Sequence, residues 1–143
     1  MTPLNPAFAE EISHSFAGQA VMSLIGAELL LVEAGIIEIS LPYRVNLTQQ
    51  NGYLHAGIVT TIVDSACGYA AYSLMPAGSE VLSVEFKVNL LRPARGRSFL
   101  ARAEVIKPGR TLTVARGDVF GIADSGQREL VATMLATIIC LRK

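Results

Sequence analysis

Residues 51–75 read NGYLHAGIVTTIVDSACGYAAYSLM, and the rest of the chain is arranged around this stretch. Asn51-Gly52 is a turn dipeptide. The apolar, small-residue run that follows ends at Pro76, which has no N–H to continue a helix. Buried strands rarely exceed about eight residues, so the length predicts a helix that stops near Met75. At about 100° per residue, Val59, Ile62, Val63, Ala66, Tyr69 and Ala70 share one side. Asp64 lies opposite, flanked by Gly57, Thr60, Thr61, Gly68 and Ala71. The first face suits packing on a sheet. The second is small enough to admit another backbone or a ligand, and it carries the only formal charge in the helix. Gly68 costs about 1 kcal/mol relative to alanine inside a helix, and close approach is a reason for it. At the start, His55 and the N–H groups of Ala56, Gly57 and Ile58 gather where backbone donors lack intrahelical partners and attract negative charge.

On either side the pattern is different. Pro3 and Pro6 mark residues 1–6 as a mobile lead. Residues 7–24 predict one or two short helices broken at Gly18, with His14 read as a surface residue, so 1–24 form an N-terminal helical lead. Residues 27–41 read as two strands joined at Glu33-Ala34-Gly35, with Pro42 ending the second. A polar connection, residues 44–54, enters the long helix. Beyond the PAGS turn at 76–79, Val84, Phe86, Val88 and Leu90 alternate with Glu85, Lys87 and Asn89, a strand signature. Three more strands follow at 98–106, 111–122 and 129–141, separated by the Pro108-Gly109 and Asp124-Ser125-Gly126 turns. The four final strands are expected to run as a meander. One long helix with an antiparallel sheet predicts an α+β domain whose sheet wraps around that helix, over residues 1–143 with no second domain.

Half of the 143 residues are hydrophobic and 17% are charged, which is apolar for a small monomer and points to a buried subunit interface. Glu28 and Glu33 interrupt the most apolar early region, so no membrane span is expected. The first basic residue is Arg44, which leaves no basic region for a targeting peptide. Cys67 and Cys140 lie on separate elements and read as free thiols in a reducing cytoplasm. With two histidines and no Cys/His spacing, no metal site is expected. From Arg44 onward there are 12 basic and seven acidic residues, a net +5 concentrated in Arg92, Arg95, Arg97, Arg102, Lys107, Arg110 and Arg116. These are either solvated strand faces or a site for an anionic, phosphorylated ligand. No nucleic-acid motif accompanies them.

There is no GxSxG elbow, Ser-His-Asp set, GxGxxG or Walker loop. Asp64 is the outstanding carboxylate, on the small face of an otherwise apolar helix; the alternative is an exposed surface aspartate. His55 could cap the helix. Gln49, Gln50 and Asn51 are loop residues able to donate to a carbonyl, and Ser83 opens the alternating strand.

Together these residues carry a resemblance. Gly52-Tyr53-Leu54-His55-Ala56-Gly57, with Asp64 nine residues after His55, resembles the hotdog-fold thioesterases of the phenylacetate-degradation type. Asp64-Ser65-Ala66-Cys67-Gly68, Leu82-Ser83-Val84-Glu85-Phe86, Arg92-Pro93-Ala94 with Gly96, and Lys107-Pro108-Gly109-Arg110-Thr111-Leu112 fit the same pattern. The similarity spans roughly residues 24–141. It implies a hotdog fold, pairing into homodimers or homotetramers, and hydrolysis of an acyl-coenzyme A thioester. The alternatives are a non-catalytic acyl-thioester-binding protein and a hotdog hydratase or dehydratase. By resemblance Asp64 is the catalytic carboxylate, as nucleophile or general base. The Ala56 N–H, in the His55-Ala56-Gly57 turn, is the oxyanion donor. Gln49 lies near the thioester carbonyl, and Ser83 helps hold the attacking water. Lys107 and Arg110, with Arg92 or Arg95, lie where relatives meet the phosphates of coenzyme A. The coenzyme is part of the substrate, and no separate cofactor is implied. This family usually has His-Gly-Gly; alanine at 56 keeps the N–H.

Overall fold

The computed structural model describes residues 1–142. Two short helices, α1 (Phe8–Gly18) and α2 (Ala20–Ile25), lead in. The break falls at Gln19, extended at φ −81° and ψ 96°, one residue beyond the glycine that suggested it. Residues 1–6 are less free than their prolines implied: Asn5 is buried and its Oδ1 accepts from the Ala7 N–H at 3.0 Å. Strands β1 (Glu28–Glu33) and β2 (Ile36–Pro42) form the expected hairpin, with Gly35 at φ 84°. A short 3-10 turn at Val45–Leu47 and a Thr48–Leu54 bridge close the connection into α3 (Ala56–Tyr72). Then come β3 (Ser79–Leu90), β4 (Ser98–Lys107), β5 (Leu112–Ile122) and β6 (Arg128–Arg142).

The six strands make one antiparallel sheet in the order β1-β2-β4-β5-β6-β3, and β2 to β6 all pack on α3. Only β4, β5 and β6 are a meander. The expected four-strand meander fails because β3 pairs with β6 and β4 pairs with β2. The connection from β3 to β4 has to cross the mouth of the curled sheet. It is held there by backbone bonds from Leu91 to Val131, from Leu54 to Ala94 and from Tyr43 to Arg97.

The helix face read from the wheel is the buried one. Val59, Ile62, Val63, Ala66, Cys67 and Ala70 meet Ile37, Ile39, Phe99, Ala101, Ala115, Val119, Met134 and Ile138 of the sheet. Each fully buried branched side chain contributes about 1.5–3 kcal/mol. Ala71, placed on the small outer face, is instead buried within the protomer. Small sheet residues let the helix sit low. A Cβ at Gly117 of β5 would lie 2.4 Å from Val63 Cγ2 and 3.0 Å from Cys67 Sγ. Helix α3 ends at Tyr72 rather than Met75, with turn bonds continuing to Met75. There Ser73 donates to the Ala70 carbonyl and accepts the Gly35 N–H at 2.7 Å, tying the first hairpin to the helix end.

Strand β3 departs from its alternating pattern. Ser83 pairs with Ile138 and Glu85 with Thr137, so Val84 is an extra, bulged residue. The bulge brings Ser83 into phase with Phe86 and Val88, which pair with the buried Ala136 and Met134. The strand is also a sheet edge, and Leu82, Val84, Phe86 and Leu90 all remain exposed.

Candidate active site

Two groups of side chains flank α3. The first is at its N-terminus. His55 is the N-cap, extended at φ −61° and ψ 138°, and its Nδ1 accepts the Gly57 N–H at 2.8 Å. That acceptor role places the ring proton on Nε2. The N–H groups of Ile58 and Val59 both reach the His55 carbonyl, at 2.9 and 3.1 Å. The Ala56 N–H is therefore the one donor of this first turn without a partner among the described residues. Gly57 is there for the cap: a Cβ would lie 3.0 Å from His55 Nδ1. Gln49 sits on the loop that closes against this end. Its N–H reaches the Tyr53 carbonyl at 2.9 Å, and its side-chain oxygen accepts from the Asn51 N–H. The amide nitrogen of Gln49 has no hydrogen-bond partner among the described residues.

The second group is midway along the helix. Asp64 is half-buried, and its Oδ1 accepts a 2.6 Å hydrogen bond from the Ser83 hydroxyl, which the β3 bulge brings into position. A cleft of about 520 Å³ opens beside them, lined by Ser15, Gln19, Asp64, Gly68, Tyr69 and Ser83, among others. Nothing lies within 4 Å of the place a Cβ would occupy at Gly68, so the glycine opens the cleft floor. Below Asp64, burial pushes the Cys67 thiol up to about 12, with the charges of Asp64 and Asp118 acting in the same direction. Cys67 is thus a protonated core residue.

The structure does not bring the two groups together within one protomer. Asp64 is eight residues beyond Ala56 on a continuous helix, which is about 12 Å along its axis. The basic candidates are likewise split. Arg95 stacks on Tyr53, 4.9 Å from the ring centroid, and donates to its hydroxyl at 2.7 Å, near the start of α3. Arg92 is held by Glu129 at 3.3 Å and by the Leu130 carbonyl. Arg110 lies beyond the other end of α3, in a cleft with Leu74, Met75 and Pro76. Arg102 pairs with Glu38 and Arg116 with Glu104 across neighbouring strands. Among the described residues, Arg92, Arg95, Arg102, Arg110 and Arg116 are therefore spread over different parts of the fold. Among the described residues, no three His, Cys, Asp or Glu side chains are placed to hold a metal ion. No described helix is long and apolar enough to cross a membrane.

One wall of the cleft was not legible from the sequence. Gln19, in the break between α1 and α2, donates from Nε2 to the Ser65 hydroxyl at 3.2 Å. Its Oε1 lies 3.5 Å from the Tyr69 hydroxyl, which is 3.1 Å from Ser15. Burial raises the Tyr69 phenol above its ordinary value, with the Ser15 bond opposing. Tyr69 reads as core on a helical wheel, and its ring is buried, but its hydroxyl faces this network.

Residues 51–124, just over half of the sequence, match the thioesterase superfamily. The chain belongs to that superfamily. A thioesterase family protein from Silicibacter pomeroyi is 51% identical, with a TM-score of 0.93 over 95% of this thioesterase and 99% of that chain. A candidate esterase of Halobacterium salinarum is 32% identical over 76% of this chain and 75% of its own length. The PaaI protein of the Escherichia coli phenylacetic acid degradation operon shares the fold at 17% identity, with a TM-score of 0.79 and 92% of each chain covered. The curled antiparallel sheet around α3 is thus the hotdog fold, and this thioesterase is an acyl-thioester hydrolase.

Proposed function

We propose that the thioesterase hydrolyses acyl-coenzyme A in a site shared by two subunits, with Asp64 from one and the Ala56 N–H from the other. The observation that carries this is the Asp64–Ser83 pair on an open cleft. A thioester carbonyl there needs an oxyanion donor. The unpartnered Ala56 N–H is suited to it but sits about 12 Å away on the same helix. A second copy related by a two-fold axis would bring its own Ala56 alongside. The β3 edge supports such pairing. It is a long unpaired edge with Val84 54% and Phe86 42% exposed, and proteins cover edges of this kind. The assembly is a homodimer or a dimer of such dimers.

In the reaction, Ser83 occupies Asp64 Oδ1 and leaves Oδ2 for chemistry. Oδ2 takes a proton from water as the water oxygen bonds to the thioester carbon, and the carbonyl oxygen becomes an oxyanion at the Ala56 N–H. The carbonyl re-forms, the C–S bond breaks and Asp64 returns the proton to the thiolate, giving acid and free coenzyme A. Direct attack by Oδ2, followed by hydrolysis of the anhydride, uses the same geometry. The coenzyme arrives as substrate, and the scheme uses no other cofactor. Its phosphates are assigned to Lys107 and Arg110, the two of the four basic candidates without a hydrogen-bond or ion-pair partner among the described residues. A cytoplasmic location suits this substrate and two unpaired, buried thiols.

Asp64→Asn tests the assignment. It keeps the shape and removes both base and nucleophile. On acyl-coenzyme A, kcat should fall by at least about 10²-fold, while binding of an uncleavable thioether analogue survives. Turnover within a few-fold of wild type would rule out Asp64 as the reacting carboxylate.

A further inference from the structure

We propose that Gln19, Ser65 and Tyr69 form a polar subsite that selects acyl groups bearing a hydroxyl or keto oxygen a few bonds beyond the thioester carbon. This rests on the reading of Asp64 as the reacting carboxylate. Asp64 and Gly68 are four apart on α3, as are Ser65 and Tyr69. The two rows run side by side, with neighbours in each about 5–6 Å apart. Gly68 leaves the floor open. One bank of the cleft carries Asp64, Ser83, Val81 and Leu82. The other carries Ser65 and Tyr69, backed by Ser15 and Gln19 from the helical lead.

Ser65 departs from the behaviour of its neighbours. Helix hydroxyls commonly donate to the carbonyl four residues back. Thr60 and Thr61 do so, to Ala56 and Gly57, both at 2.8 Å. Ser65 instead accepts from Gln19, and its own O–H has no acceptor among the described residues. A donor is thus held facing the cleft next to the reacting carboxylate. The Tyr69 and Ser15 hydroxyls share one contact, and Gln19 Oε1 lies at the limit of hydrogen-bond range, so acceptor capacity is also left over. A plain alkyl chain laid along this bank would strip water from those groups and return nothing, whereas an oxygen substituent replaces the water. Gln19 is a positioning residue, acting through Ser65 and Tyr69. It lies in the helical lead, outside the segment matched to the superfamily, whereas Ser65 and Tyr69 lie inside it, so the subsite joins the two.

The test compares matched substrates on the full-length enzyme: butanoyl- against 3-hydroxybutanoyl-coenzyme A, and hexanoyl- against 6-hydroxyhexanoyl-coenzyme A. Wild type should favour one hydroxylated member by about tenfold or more in kcat/KM, the scale expected when a site pairs a substrate hydroxyl. Ser65→Ala and Gln19→Leu should each move that ratio towards one. Melting temperature reports the fold, and should Gln19→Leu unfold, Ser65→Ala carries the test. A wild-type ratio of one or less in both pairs overturns the proposal. So does a ratio unchanged by Ser65→Ala, or equal losses on both members of a pair. No turnover of any acyl-coenzyme A by wild type would instead sink the broader substrate assignment, and the subsite with it.

Discussion

Ala56 shows how little separates a structural position from a chemical one. It is the first residue of α3, its N–H has no partner among the described residues, and the residue before it is extended at ψ 138°. Those are the conditions under which proline is tolerated at a helix start, since the missing N–H was unpaired and the preceding residue already avoids the helical region. Ala56→Pro therefore removes one donor and little else. Its melting temperature should stay within a few degrees of wild type. If the N–H holds the oxyanion, kcat should fall by about 10²–10³. Retained turnover would transfer that role to another donor, with the Gln49 amide next in line. The spacing of His55 and Asp64 was legible in the sequence, and so was the crowd of donors at the helix start. Which donor stays free was not. That depends on the imidazole turning back onto Gly57, a choice made by side-chain geometry that no spacing encodes.

At the scale of elements, α3 was readable because a helix states its buried face locally, and Val59, Ile62, Val63, Ala66, Tyr69 and Ala70 are all inside. Strand β3 was readable as a strand but not as an edge. Pairing partners are decided by long-range closure, and a one-residue bulge at Val84 changes which side chains share a face. Ser83 reaches Asp64 through that bulge. Gly117 was just as silent in the sequence, an unremarkable glycine inside a strand. It marks where the helix touches the sheet most closely, against Val63 and Cys67. Val63 is stiff at χ1 and Cys67 is fully buried, so neither can yield freely. Gly117→Ala should cost about 1–3 kcal/mol of stability, the usual range for an overpacked core, read as a lower denaturation midpoint with unchanged slope. An unchanged midpoint would mean that the helix rides on the sheet more loosely than this packing implies.

For the whole molecule, the decisive fact is that one protomer holds the two halves of the proposed site at different heights on a single helix. Asp64 with Ser83 is one half, and the Ala56 donor with its His55 cap is the other. If the working site joins halves from two copies, damage to different halves must complement. Asp64→Asn and Ala56→Pro homodimers should each be nearly inactive. A hybrid dimer, co-expressed with two tags and purified through both, contains one site built from the intact Asp64 of one chain and the intact Ala56 of the other. Its second site carries both lesions. The hybrid should therefore recover about half of the wild-type turnover per dimer, as two-fold symmetry with two shared sites requires. Sites confined within single protomers give the opposite result. Every chain in the hybrid is then defective, and activity stays at the level of the two parents. If a second copy adds to the exposed apolar edge of β3, the same preparation passed through light scattering should show no folded monomer at low micromolar concentration; a stable folded monomer would remove the shared site.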